Sequence, residues 1–560
     1  MIVILFNTLL TNSIIFSYGA LISIYFFNEK VSKNNISELP IFGLIFISFL
    51  TLILNFFLPI NKLVGTGLLT LGLIFFIIVA INNNHIRGKI FKNILISSLI
   101  TILILSFSNI YRPDAGLYHL SYTSIINENK IIIGAANINF RFAVTSIAQY
   151  LSASQNNYIY NLAAISIPLA SLFSFSIIFI IREIFKKTKL RKNLISIVIF
   201  LIGVFVFLGF GRFSNYGNDA ISHLYFFILM IFILNNYQNL KIDNLALNKI
   251  LLLSIFLFTT KTFMFLVLVI PFLFFLIHKD KKQFLMTKLF YINIAILTFW
   301  ILKSVIISGC IIYPIDKTCF KVLKIYDENK TILESKSGEA WAKDWINQKD
   351  KKLDFENYNQ NFNWLSTWKE VHFKKVIEKL TPYLIFLIIL VLVFLFQKKE
   401  VYRKLPEAIN FVFFISVFLS IIWFLKFPLY RYGVAFLATT IIILFLYSIY
   451  FLNLIPKNHI LIKNFKIFII ICSFVILTKN FLRIYKNTNE FNNKTWPDIY
   501  SEINDYRINE FELIKDINNN NLYYFSAGQL CMYSRSPCSN YKVNNLKKEK
   551  LFFYDLFWID

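Results

Sequence analysis

The chain alternates long apolar runs with short polar links. A helix needs roughly 20 apolar residues to cross a bilayer. By that rule the runs fall at about 3–27, 41–60, 64–82, 94–110, 158–181, 194–211, 220–235, 250–278, 289–308, 383–397, 408–425, 433–455 and 465–481. They predict an all-α polytopic membrane protein with about 13–14 transmembrane helices. One long polar interruption, 111–157, lies between two strongly apolar runs and carries Asp114, Tyr118, His119, Asn137, Asn139 and Arg141. A second spans 309–383. After residue 481 the pattern changes to charge, aromatics and Asn-rich turns, with a strand expected at 521–526. The expected division is a transmembrane domain at 1–481 and a small α+β extracytoplasmic domain at 482–560. The first basic residue is Lys30, so the first run reads as a retained helix and not as a cleaved signal.

Composition agrees with the pattern. Of 560 residues, 57% are hydrophobic and 16% charged, more apolar surface than a soluble fold could bury. A net charge of +26 would point to nucleic acid in a soluble protein. Here Lys and Arg concentrate in the short links, where they set orientation, and no nucleic-acid partner is expected. The most basic short link, 182–193, is expected in the cytoplasm, which puts 111–157 outside.

The charge rule also predicts how the run 250–278 folds. If it crossed once, the basic link 279–288 would fall outside. If it runs out and back as two short helices meeting near Thr259, Thr260 and Lys261, the links 279–288, 398–404 and 457–466 all become cytoplasmic. The hairpin also carries both close cysteine pairs, Cys310 with Cys319 and Cys531 with Cys538, to the outer, oxidising side. No His lies near either pair, so they read as disulfides and not as zinc ligands. Cys472, inside an apolar run, reads as a small core residue.

On the outer face, Asp114 stands after Pro113 at the expected start of a helix, where the dipole favours a carboxylate. Alone, that is a sufficient structural reason for it. Its neighbours supply a chemical one: Tyr118 shares its helix face, His119 is adjacent, and GAANINFR returns Asn137, Asn139 and Arg141 to the interface. A carboxylate acting as a base needs such groups to set its proton affinity and position its acceptor. Asp219 opens the next outer run with His223 four residues on. It is a helix start, and also a candidate second carboxylate. Lys261, Lys303, Lys426 and Arg431 are candidate cations for an anionic substrate. Arg431 is the best suited, because a planar guanidinium matches phosphate. Trp341, Trp345, Trp364 and Trp368 read first as an interfacial belt. No P-loop, Rossmann glycine motif, zinc-protease motif or nucleophile elbow is present, and no internal repeat.

The pieces Asp114 to Leu120 (DAGLYHL), Gly134 to Phe142 (GAANINFRF), Ser308 to Pro314 (SGCIIYP) and Thr318 to Phe320 (TCF) resemble an uncharacterised family of bacterial polytopic membrane proteins, itself similar to GT-C-fold glycosyltransferases. The resemblance implies an extracytoplasmic active face on the bacterial inner membrane, within the cell envelope. It implies transfer of a sugar from a polyprenyl-phosphate-linked donor, with membrane lipid around it, to a glycan, lipid or protein acceptor. Asp114 would be the base, with Tyr118, His119, Asn137, Asn139, Arg141, Asp219, Lys261 and Arg431 binding substrate. Many such enzymes place a second acidic residue beside the first, whereas Ala115 follows here. No metal ligand is assigned, and a divalent cation is an open cofactor. A lipid-linked glycan ligase or polymerase, or a non-enzymatic transporter or flippase, is the alternative.

Overall fold

The computed structural model describes residues 2–108, 114–160, 162–209, 217, 219–237, 241–348, 353–490, 496, 511–516, 520–527 and 530–560. Pro113, expected in the first turn beside Asp114, lies outside them, as does the 212–219 link apart from Gly217 and Asp219.

The chain is a multi-pass, mostly helical membrane protein. Among the described residues, eleven helices are long and apolar enough to cross a bilayer: Ile4–Tyr25, Leu39–Phe57, Lys62–Asn82, Asn84–Leu105, Ala164–Lys189, Asp219–Asn236, Lys288–Ser308, Leu365–Leu395, Glu407–Lys426, Tyr430–Phe451 and Asn458–Thr488. Three apolar helices are shorter, Asn193–Leu208, Asn244–Thr260 and Thr262–Ile277. The last two are the hairpin. Lys261 leaves helical geometry at φ −157°, ψ 128°, and the chain turns back. The two feet meet where His278 Nε2 donates to Asn244 Oδ1 at 2.7 Å. Leu247, Leu253 and Phe256 are buried on one arm and Ile270 and Phe274 on the other, so protein covers the break in the backbone ladder.

Two boundaries differ from the apolar pattern. The run expected at 383–397 is the end of a helix that begins at Leu365, so the second polar interruption ends near 364 and not at 383. Charges at Lys369, Glu370, Lys374 and Lys375 hide the amphipathic stretch, whose other face buries Trp368, Val376 and Leu380. Pro382 sits inside this helix without ending it. The final helix runs over Asn458–Glu490, well past 481, with Cys472 half-buried on it.

The links gather at two ends. At one, Lys249 meets Glu29 and Glu38, Asn193 meets Glu400, and Lys457 N–H donates to the Lys398 carbonyl. At the other, 114–157 packs beneath the C-terminal strands. Phe511–Lys515 pairs antiparallel with Asn521–Ser526, which runs parallel to Cys538–Ser539, and Leu546–Leu551 forms a hairpin with Tyr554–Ile559. Cys310 is bonded to Cys319 and Cys531 to Cys538. The second bridge closes a loop over the 114–128 segment. Met532 N–H donates to the Gly116 carbonyl at 2.8 Å, and Ser121 Oγ donates to the Cys538 carbonyl at 3.1 Å.

The polar residues of 114–157 are mostly buried, and the fold satisfies many of them, while Asn139 Nδ2 and Arg141 Nη1 are buried without a hydrogen-bond partner among the described residues. Asn127 Nδ2 donates to the carbonyls of Ile60 and Ala153, and its Oδ1 accepts from the Tyr533 hydroxyl. Gly134 lies at φ +72°, and a Cβ there would stand 1.9 Å from the Phe557 carbonyl oxygen. Only glycine allows this approach of the Tyr554–Ile559 strand.

Candidate functional site

Four charged side chains meet at the strand-capped end of the bundle, each delivered by the end of a helix. Asp219 opens the Asp219–Asn236 helix, where the dipole favours its carboxylate. Lys261, at the tip of the hairpin, reaches Asp219 and forms an ion pair. Arg431 lies in the first turn of Tyr430–Phe451, where a dipole would oppose a cation, and two carboxylates offset that cost. Its Nη1 is 3.5 Å from Asp114 Oδ2 and its Nε is 3.9 Å from Asp219 Oδ2.

Local packing aims the arginine. Trp423 Nε1 donates to the Leu429 carbonyl at 2.8 Å, folding the indole under the short link between two helices. A Cβ on Gly433 would lie 2.4 Å from that indole, so glycine is what lets the next helix start there. His223, one turn beyond Asp219, donates from Nε2 to the Arg431 carbonyl at 2.6 Å. One helix therefore holds both the main chain and the side chain of Arg431.

Aromatic rings complete the cluster. The Arg431 guanidinium lies 5.2 Å from the Trp341 ring centroid, and Lys261 Nζ lies 3.5 Å from that of Tyr432. The Tyr432 hydroxyl accepts from Arg431 Nη2 at 3.3 Å. Two positive and two negative groups leave the cluster near neutrality. The side chains of Asp114 and Arg431 stay 44% and 40% exposed, so the cluster is reachable. Such an arrangement can accept a proton on a carboxylate and meet an incoming phosphate with a guanidinium.

Tyr118 and His119 form the wall behind Asp114, their rings 4.1 Å apart. Burial, reinforced by the Asp114 charge, pushes the Tyr118 phenol well above its ordinary range, so it stays protonated. Burial also lowers His119 to about 4 against the pull of Asp114 and Asp219, so the imidazole is neutral near pH 7. Gln149 Oε1 accepts from the Ser146 N–H, which leaves its amide nitrogen to donate to His119 Nδ1 at 2.5 Å. The proton of His119 is therefore on Nε2. The ring is held in place and does not serve as a base at Nδ1.

The remaining expected residues divide. Arg141 is one ring away from the cluster, its guanidinium 5.8 Å from Tyr118 and 5.3 Å from Phe140. Asn137 and Asn139, expected among the substrate-binding groups, are buried in joints of the fold. Asn137 Nδ2 donates to the Ile325 and Phe557 carbonyls, and Asn139 Oδ1 accepts from the Arg141 N–H to begin a turn. Lys303 is buried elsewhere, donating to Thr145 Oγ1 at 2.8 Å beside the Trp300 ring. Lys426 pairs with Glu339 at 3.4 Å. Trp364 and Trp368 form a small core with Tyr358 and Ala340 and not a membrane belt, while Trp341 is exposed at the cluster. Tyr432 and Gln149 were not among the expected site residues. The Tyr-Arg-Tyr-Gly run pointed toward Tyr432, but no periodicity distinguishes Gln149.

The donor set does not fit a resident divalent cation. Asp114 and Asp219 share Arg431, and Asp219 also holds Lys261, so a metal would have to displace two cations. Among the described residues no group of three or more His, Cys, Asp or Glu is placed to hold a metal ion. No curated protein and no solved structure matches the chain. One family model does, over residues 1–438, a span that includes all four charged residues and stops short of the C-terminal strands. The chain therefore belongs to the family described as Domain of unknown function (DUF8201).

Proposed function

We propose that this protein is a GT-C-like membrane glycosyltransferase. It moves a sugar from a polyprenyl-phosphate-linked donor to a hydroxyl of a glycan, lipid or protein acceptor, on the outer face of the bacterial inner membrane. One observation carries the reading: two carboxylates from distant parts of the chain bracket one guanidinium at an open end of the bundle. Asp219 stands in for the acidic neighbour that Ala115 does not provide.

In this reading Asp114 takes the proton of the acceptor hydroxyl as its oxygen attacks the anomeric carbon. The bond from that carbon to the phosphate oxygen breaks, and the electron pair leaves with the polyprenyl phosphate. Arg431 and Lys261 meet the charge on the leaving phosphate. Asp219 fixes both cations, and Tyr118 and His119 shape the wall. Attack opposite the leaving group inverts the sugar carbon.

The test is Asp114→Asn in the full chain, reconstituted with a polyprenyl-phosphate sugar. General-base catalysis is worth about 10²–10⁴-fold, so transfer should fall by about 10³-fold while the protein stays inserted and folded. Undiminished transfer would overturn the assignment. Identifying the product separates addition of one sugar from en bloc transfer of a glycan.

A further inference from the structure

The Tyr430–Phe451 helix spans 22 residues from the charged cluster to the basic end, a distance of about 33 Å at 1.5 Å per residue. At that far end a cavity of about 330 Å³ opens between the start of the Asn193–Leu208 helix and residues 402–407. Arg191, Lys192 and Lys404 line it with Tyr237, Tyr402 and Glu407. Lys404 Nζ lies 3.7 Å from Glu407, which leaves two more cations than carboxylates among these lining residues. Two helices, Asn193–Leu208 and Glu407–Lys426, begin at its rim, and the positive ends of their dipoles add to the same field.

A second observation comes from Asn193, which also lines the cavity and is 1% exposed. Its amide nitrogen donates to the Tyr402 hydroxyl and to Glu400 Oε2. A carboxylate only accepts, so the orientation of the amide is determined. Asn193 Oδ1 is then a buried acceptor with no partner among the described residues. Buried acceptors are normally satisfied, and this one belongs to a residue that lines a basic cavity. Basic links that served orientation alone would need neither the cavity nor the waiting acceptor.

We infer that this cavity binds a phosphate ester carrying a free hydroxyl. Arg191, Lys192 and Lys404 take the phosphate, and the hydroxyl donates to Asn193 Oδ1. The chemistry is that of a glycerophosphate, either as the head group of an anionic lipid or as a soluble ester. The inference does not depend on the reaction proposed above.

The full chain, purified in detergent, is titrated with phosphatidylglycerol, phosphatidylcholine and soluble glycerol 3-phosphate, with binding read by native mass spectrometry and thermal shift. Phosphatidylglycerol should bind and phosphatidylcholine should not. A response to glycerol 3-phosphate as well assigns the site to the phosphate ester itself, and a response to phosphatidylglycerol alone assigns it to a lipid head group. Arg191→Gln and Lys404→Gln should each weaken binding about tenfold, the scale of one charge-assisted hydrogen bond. Glu407→Gln should strengthen it. Arg191 and Lys404 are exposed, and a size-exclusion profile checks that the variants fold. Equal binding of the two lipids, or unchanged affinity in Arg191→Gln and Lys404→Gln, overturns the proposal.

Discussion

The Asn244–Thr260 helix carries Lys249 near its basic end and leads into Lys261 at the opposite end, and the two lysines have different surroundings. Lys249 Nζ lies 2.7 Å from Glu29 and 2.9 Å from Glu38, against the Phe27 ring, with only 8% of its side chain exposed. Its partners come from the connection between the first two helices, so the triad ties that connection to the foot of the hairpin. Lys261 is also largely buried, but its partner Asp219 is shared with Arg431, and the Arg431 and Asp114 side chains stay exposed. A saturated, enclosed set of charges gains nothing from a ligand and acts as a clasp. A balanced but accessible set can exchange one of its ion pairs for a substrate phosphate.

The sharpest way to break this comparison is to remove each lysine in turn. Lys249→Met leaves two carboxylates without their cation and should cost about 4 kcal/mol of stability, read as a lower unfolding temperature in detergent. Lys261→Met should cost about 1 kcal/mol, because Arg431 remains on Asp219, yet it should lower transfer strongly. Equal destabilisation by the two would mean that the open cluster is a clasp as well.

Acid should reach the open end through His119. The folded value of about 4 lies below the ordinary 6.5, so between these values the unfolded chain holds a proton that the folded chain lacks. Stability therefore rises with pH across this window and is lost as pH falls from 6.5 toward 4, by about 3 kcal/mol. His119→Gln should flatten that limb in a pH series of thermal unfolding. The smallest effect is expected from Arg431→Lys, which keeps the charge but loses the fork between Asp114 and Asp219 and the stacking on Trp341. Transfer should fall about tenfold with unfolding unchanged. Undiminished transfer in this variant would reduce Arg431 to a point charge.

Some of this arrangement was legible in the chain. The basic links favoured a 250–278 run that turns back, because a single crossing would have put every later basic link on the wrong side, and that turn carries Lys261 to the end where Asp114 lies. Asp114 was visible because a carboxylate stood out beside a tyrosine and a histidine between apolar runs. Much else was hidden. Charges on one face disguised the helix from Leu365, since the buried Trp368, Val376 and Leu380 are too few to form an apolar run. Asn137 and Asn139 looked like ligand groups because sequence records an amide without its partners. Asn137 donates to carbonyls 188 and 420 residues away, and Asn139 Oδ1 accepts from the Arg141 N–H.

The sequence by itself determined the membrane class and the cysteine pairs available to bond, and link charge favoured the hairpin that the structure then showed. These follow from quantities that add along the chain: run length, link charge and cysteine spacing. Only the tertiary structure decided that Asp219 is the carboxylate beside Asp114, that Arg431 lies between them, and that Gln149 holds His119. Those contacts join residues 30 to more than 300 positions apart, and helix packing, which no local pattern encodes, brings them within hydrogen-bond or ion-pair reach.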